Sequence, residues 1–335
     1  MNNQFLTEEN EFDVVGIGNA IVDIIVKIDD SFLQDNSLNK GSMTIVSEEK
    51  AGELYRSVTP TLQSSGGSAA NTLAALAELG SKAGFIGRVS DDSLGRIFTK
   101  DISTVGTYFN TPPSISGPST ARCLILVTPD AQRTMCTFLG SSILLNPADI
   151  DMSIVEKSKI LYLEGYLWDS PSAKSAFLSA ASVSKQFNRK VSLSLSDSFC
   201  VNRHRASFLD LVENHIDILF ANEEEIISLF ESPTKEEAIA KLIGKCDLSI
   251  ITLGKAGSII VNGKEIINIK PYIFNKALDT TGAGDLYAAG FLHGYSQGKD
   301  ILECAKIASI CAGHIVTQIG PRSDIPLADI LANSL

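Results

Sequence analysis

From Lys159 onward the chain repeats one unit, a short apolar run of β-forming residues followed by a longer stretch of helical composition. The runs are KILYLEGY, KVSLSLSD, IDILFAN and LSIITLG, then a short SIIVNG/EIINIK hairpin and two long helical stretches. Parallel strands need crossover connections, and helices in those crossovers cover both faces, so the repeat implies an α/β fold with a mostly parallel central sheet. The first part of the chain departs from this rhythm. FDVVGIG, DIIVKI, SMTIVS and AGFIGRVS read as strands, with helices over 68–80 and 93–105. TARCLILVTPDAQRTMCTFLG reads as a β-hairpin about a PDAQ turn. We read the early strands and this hairpin as a small accessory sheet over one edge of the main one. The expected organisation is a single domain over 12–330, with lid strands drawn from about 23–47 and 115–139 and a flexible segment 1–11.

Several function classes are disfavoured at once. A net charge of -11 argues against a nucleic-acid partner, which would need phosphate neutralisation. MNNQFLTEENE has neither the basic start nor the apolar core of a signal peptide, and no apolar run approaches a membrane span. With six scattered cysteines and no CxxC pair, free thiols in a reducing cytoplasm are expected. Four histidines without HExxH argue against a zinc enzyme. No GK pair is followed by Ser or Thr, so there is no P-loop. GIGNAI at Gly16 lacks the third glycine of a dinucleotide fingerprint and runs into another strand.

The stretch DTTGAGDLYAAGFLHG, Asp279–Gly294, sets glycines and an aspartate just ahead of a helix-like run. Free N–H groups of Ala283, Gly284 and Asp285 at a helix start, together with the helix dipole, suit a phosphoryl group in transfer. Asp285 beside such an anion hole can take the proton of an attacking hydroxyl, and the dipole favours its ionised form. An aspartate in the first turn of a helix is otherwise an ordinary stabilising feature.

DTTGAGDLYAAG resembles the C-terminal signature of the ribokinase-like (PfkB) family of carbohydrate and nucleoside kinases, and SSGGSAANTLAALAELGSKAGFIGRVSDDSLG, Ser64–Gly95, resembles its other signature. The resemblance runs from Val14 to about Pro326. It implies a three-layer α/β fold with a β-sheet lid and ATP-dependent phosphorylation of a hydroxymethyl group, with Asp285 as base and Gly282, Ala283 and Gly284 as anion hole. ANEEE is similar to the family's NxxE motif, placing Asn222 near ATP and giving Glu225 an Mg²⁺ held through water; three apart, the two share a helix face. TLGKAGS resembles the family's nucleotide loop, with Thr252, Gly254 and Gly257 near ATP. Asp279 and Thr281, with the GPRS stretch near Gly320, resemble the K⁺ site of some members.

For the acceptor, the resemblance points to Asn19, Asp23, Gly67 and Asn71, whose amides and carboxylate suit paired hydrogen bonds to vicinal hydroxyls. The Asn19-x-x-x-Asp23 spacing and GGSAAN are similar to the adenosine-kinase members rather than to ribokinases. Cys123, Leu124, Met135, Thr137 and Phe138 on the hairpin, with Tyr166 and Trp168, would offer flat apolar walls to a purine; they would serve equally to pack the lid. The expected reaction is phosphorylation of a nucleoside 5′-hydroxyl, adenosine to AMP. The alternative is a sugar or sugar phosphate, for which Arg122 and Arg133 are the nearby basic residues. A non-catalytic nucleotide-binding protein on this fold would have lost the base or the anion hole, and both are intact. The expected partners are ATP and a small acceptor, with no nucleic acid or membrane, in a monomer or homodimer.

Overall fold

The computed structural model describes residues 11–130 and 132–334. In chain order its strands are β1 (Phe12–Ile17), β2 (Ile21–Lys27), β3 (Met43–Ile45), β4 (Leu62–Gly66), β5 (Ala83–Ile86), β6 (Ala121–Val127) and β7 (Arg133–Phe138). Then follow β8 (Ser158–Glu164), β9 (Lys190–Ser194), β10 (Ile218–Asn222), β11 (Leu248–Thr252), β12 (Ser258–Asn262) and β13 (Glu265–Ile269). One sheet has the order β13-β12-β11-β10-β9-β8-β1-β5, parallel from β5 through β11 and closed by the antiparallel β12–β13 hairpin. The other has the order β3-β7-β6-β2-β4.

Alternation along the parallel strands sends neighbours to opposite faces. Val14, Ile160, Ile218 and Ile250 face a core made with the helices Ser68–Glu78, Ala283–Ser296 and Ile301–Ile315. Val15, Leu161, Leu219 and Ile251 face a second core made with Pro171–Gln186, Ser198–Asn214, Glu223–Phe230 and Lys235–Leu242. This is the expected α/β architecture with helices on both faces and a smaller second sheet. The first core continues into the small sheet through Val22, Ile24, Leu124, Leu126 and Cys136, so the lid's outer face is a wall of the main hydrophobic body.

The lid departs from expectation in one element. β4 pairs antiparallel with β2, so the lid reaches Gly66 and includes the start of the SSGGSAAN motif. Its sequence, LQSSG, carries no apolar alternation because it is a half-exposed edge strand. Residues 1–10 of the expected flexible segment, and Ala131 of the PDAQ turn, lie outside the described residues. Glu11, counted in that segment, is tied down by its N–H to the Lys157 carbonyl at 2.9 Å.

Candidate active site

The chain leaves β1 towards β5 on one side and later enters β8, on β1's other side, before stepping on to β11. Parallel sheets bind ligands where the winding direction switches, beyond the carboxyl ends of the strands. Asn19, just past β1, and Glu164, the last residue of β8, meet at this switch. Glu164 Oε1 accepts from the Asn19 side-chain amide at 2.7 Å and its backbone N–H at 3.3 Å, while Oε2 accepts from the Ala69 N–H at 2.8 Å. Ser142 Oγ donates to Asn19 Oδ1 at 2.8 Å. Asn19 and Glu164 are both buried, so the Asn19 amide is committed to this network. Burial pushes Glu164 up to about 7, against the pull of the Ala69 and Asn19 donors.

The glycine-rich loop opens the helix Ala283–Ser296 as its spacing predicts, with Gly282 as N-cap at φ 79°. That left-handed conformation suits glycine, and an added Cβ would meet Pro321 at 2.7 Å. The Ala283 N–H turns back to the Thr280 carbonyl at 3.2 Å, so of the three expected donors Gly284 and Asp285 remain in the first turn, where no helical acceptor exists. An added Cβ at Gly284 would meet nothing within 4 Å.

Asp285 faces the other glycine-rich motif. Ser68 Oγ donates to Oδ1 at 2.6 Å, and the Asn71 amide to Oδ2 at 3.1 Å. Both donors lie on the helix Ser68–Glu78, whose N-cap Gly67 has φ 100° and passes so close to Asn19 that an added Cβ would meet its carbonyl oxygen at 2.2 Å. Burial raises the Asp285 carboxyl above the usual range, and the Ser68 and Asn71 hydrogen bonds and the Arg322 charge pull it back. The dipole expected to keep it ionised thus acts against desolvation. Asn71 Oδ1 is buried with no partner, an acceptor atom left for a ligand.

Asp23 lies on the lid's inner face, which the strand register sets out as Ile21, Asp23 and Ile25 beside Cys123 and Ile125, then Thr137 and Met135. Burial raises Asp23 to about 7; Arg322 opposes the shift and Asp285 adds to it. Arg322, in the GPRS stretch expected beside the K⁺ site, instead donates to the Ser65 carbonyl and hydroxyl at 2.9 Å, and its Nε and Nη1 are buried without partners.

Three of the expected acceptor walls point elsewhere. Leu124 and Phe138 alternate onto the opposite face of the lid, where Leu124 is in the core and Phe138 lies under the Arg122 guanidinium at 5.2 Å. Arg122 is held there by Ser119 and the Glu48 carbonyl. Trp168 packs against Phe177 and Phe208 in the second core. Tyr166, just past β8, is 39% exposed with its N–H on Ser196 Oγ, and burial raises its hydroxyl with the Asp197, Glu164 and Asp285 charges adding to the shift. Cys123, Met135 and Thr137 do take the inner face, with Thr137 Oγ1 donating to Cys123 Sγ at 3.3 Å.

Beside the start of the helix Ala283–Ser296 lies a cavity of about 390 Å³. Thr252, Gly254 and Gly257, the residues expected near ATP, line it together with Ala283 and Gly284. Tyr272, Asn275 and Ala312 complete it from segments without a motif. Asn222 and Glu225 form a reciprocal capping box rather than a shared helix face. Asn222 ends β10 and accepts from the Glu225 N–H, while the Glu225 carboxylate takes the Asn222 N–H at 2.9 Å and amide at 2.7 Å. Burial, with Asp197 and Glu224 nearby, pushes Glu225 up to about 7.

Asp279 and Thr281 also converge, but with a cation from the protein. Arg133 Nη1 donates to Thr281 Oγ1 at 3.0 Å, and Nη2 lies 2.5 Å from Asp279 Oδ2. The same carboxylate accepts from Thr281 N–H and Oγ1 and from the Gly320 N–H. Although burial alone would raise Asp279, these donors and Arg133 hold it below the usual carboxylate range.

A buried carboxylate beside two free helix-start N–H groups, with a cavity next to them, is a layout that suits phosphoryl transfer. The model of pfkB family carbohydrate kinases matches residues 41–328. The chain belongs to the PfkB family. It is a kinase that phosphorylates a hydroxyl acceptor with ATP. It is 44% identical to the adenosine kinase from Sinorhizobium meliloti, covering 97% of this chain and 99% of that one, with a TM-score of 0.88. It is 43% identical to a probable sugar kinase from Rhizobium etli, covering 97% and 98%, at a TM-score of 0.89. Against the 5-dehydro-2-deoxygluconokinase of Bacillus subtilis it is 27% identical, covering 96% of this chain and 95% of that protein. Similar PfkB proteins thus differ in acceptor. No helix among the described residues is long and apolar enough to cross a membrane.

Proposed function

We propose that this PfkB kinase phosphorylates the 5′-hydroxyl of a nucleoside, adenosine to AMP. The observation that carries the reading is the charge balance of the acceptor cleft. Asp23 and Asp285 face it with Arg322 as the cation between them, and Arg133 is occupied by Asp279. A sugar acid would bring another carboxylate into this group, whereas a neutral nucleoside brings none. The inner lid face of Ile21, Cys123, Ile125 and Met135 is suited to a flat base, with Asp23, Asn71 and the Gly67 turn near the ribose hydroxyls. The 44% identity to an adenosine kinase agrees with this. The sequence relatives acting on 5-dehydro-2-deoxygluconate support a sugar as the second reading.

In the proposed mechanism Asp285 takes the 5′-hydroxyl proton, oriented by Ser68 and Asn71. The Gly284 and Asp285 N–H groups receive the γ-phosphoryl charge in a region from which the closed lid excludes water. ATP lies in the cavity lined by Thr252, Gly254 and Gly257, with its phosphates towards Gly284. Glu225 and Asp197 are oxygen donors fit for a hydrated Mg²⁺, and a nearby dication would offset the burial, and the Asp197 and Glu224 charges beside it, that raise Glu225. Bound Mg²⁺ supplies neutralisation of the ATP phosphates.

ADP release on a panel of adenosine, other nucleosides, ribose, fructose and 5-dehydro-2-deoxygluconate tests the reading. Turnover should be fastest with adenosine. A sugar preferred by kcat/KM would overturn it in favour of the second reading.

A further inference from the structure

Asp279 and Thr281 resemble a K⁺ site, yet their surroundings do not fit a resident K⁺. Both Asp279 oxygens are engaged: Oδ1 with Thr281 N–H and Oγ1, Oδ2 with the Gly320 N–H and the Arg133 guanidinium. The side chains of the Arg133–Asp279 pair are each 12% exposed. Setting K⁺ against this carboxylate would press two positive charges together in a poorly hydrated place.

The geometry points to the Arg133 guanidinium as the built-in substitute for a monovalent cation at this loop. It ties the order of the anion hole to the position of the lid. Arg133 opens β7 on the lid, and its two contacts, Asp279 and Thr281, stand immediately before Gly282. A guanidinium is permanently charged and offers several donors in a fixed fork, so it binds carboxylate and hydroxyl together where a spherical ion would need a ring of oxygens. A free ion would order the loop wherever the lid stood, whereas Arg133 does so only with the lid in place. Arg133 is therefore a positioning residue for Gly284 and Asp285, through Asp279. The inference rests on the family's phosphoryl transfer and not on the identity of the acceptor.

The test compares melting temperatures in KCl and in tetramethylammonium chloride at equal ionic strength, a measurement that needs no acceptor. The wild-type protein should show no K⁺-specific shift. Arg133→Ala should melt lower, and K⁺ should then raise its midpoint by about 2 °C or more over tetramethylammonium. Adding Asp279→Asn should abolish that response. Arg133→Gln, which keeps length and donors but not charge, is the second variant should the alanine protein not fold. In ADP-release assays wild-type turnover should be the same in both salts, and K⁺ should restore part of the turnover lost by the variant. A K⁺-specific shift in the wild type, or indifference to K⁺ in the folded Arg133 variants, would overturn the inference. Because the melting comparison is independent of substrate, failure of adenosine as an acceptor would count against the proposed function and leave this result to be read by itself.

Discussion

The Ser68 hydroxyl donates to Asp285 Oδ1 at 2.6 Å, joining the two signature motifs across 217 positions of sequence. One motif supplies the carboxylate and the other holds it still. Asp285→Asn should lower kcat by about 10²–10⁴, the range for a lost general base, with ATP affinity little changed. Ser68→Ala should act more mildly and in a different way. Its hydrogen bond lowers the Asp285 pKa, so its loss should move the acid limb of the pH–rate profile to higher pH. Steady-state kinetics across pH would separate the two, and an unmoved limb in Ser68→Ala would refute the assigned role.

Asp23, raised to about 7, should leave two marks on pH dependence. Its ionised form accepts hydrogen bonds from acceptor hydroxyls, so kcat/KM for the acceptor should fall about tenfold per pH unit below that value. The stability effect has the opposite sense. A carboxyl whose folded pKa exceeds its unfolded value favours folding at low pH, and that contribution is lost as pH rises from about 4 through 7. Asp23→Asn should flatten both curves; kinetics and urea denaturation at several pH values would show it.

Gly282 and Gly284 should respond differently to alanine. At Gly282 the positive φ and the contact with Pro321 make a methyl group costly, by about 1–3 kcal/mol, and both stability and activity should drop. At Gly284 the backbone is helical and the added methyl meets no protein atom. Gly284→Ala should fold as well as the wild type or better, yet lose activity, because the methyl group enters the space a phosphoryl group must occupy. Thermal melts beside kcat would check the pair, and a fully active Gly284→Ala would remove this residue from the anion hole.

Glu164→Gln should destabilise the protein by about 1–3 kcal/mol, the range for leaving a buried donor unpaired. A carboxylate can accept from both its oxygens, as Asn19 and Ala69 require, whereas an amide presents N–H₂ to one side. The activity loss should appear chiefly as a raised acceptor KM, because Asn19 and the Gly67 turn are positioned by this network. A chemical denaturation series with the acceptor KM measured in parallel would test it.

The sequence made legible whatever is local. Strand and helix periodicity exposed the main sheet, and the two glycine-rich motifs exposed Asp285 and the loop around it. Alternation was the harder signal at the lid, where Cys123 and Leu124 are adjacent in sequence but face opposite ways. β4 was hidden because an edge strand needs no apolar rhythm. Glu164 is one acidic letter in an apolar strand, and only the meeting of β1 and β8 shows its partners. Arg133 and Thr281, 148 positions apart, carry no shared pattern at all. Asn222 and Glu225 did announce themselves by spacing, although their first bonds are to each other.

The parts of this site reach the ribosome exit at very different times. Asn19, Asp23 and Asn71 emerge early, while Asp279, Asp285 and Arg322 follow only after most of the main sheet has been made. A nascent chain can therefore display Asn19, Asp23 and Asn71 long before it owns Asp285, the Gly282–Gly284 turn or the guanidinium that clasps Ser65.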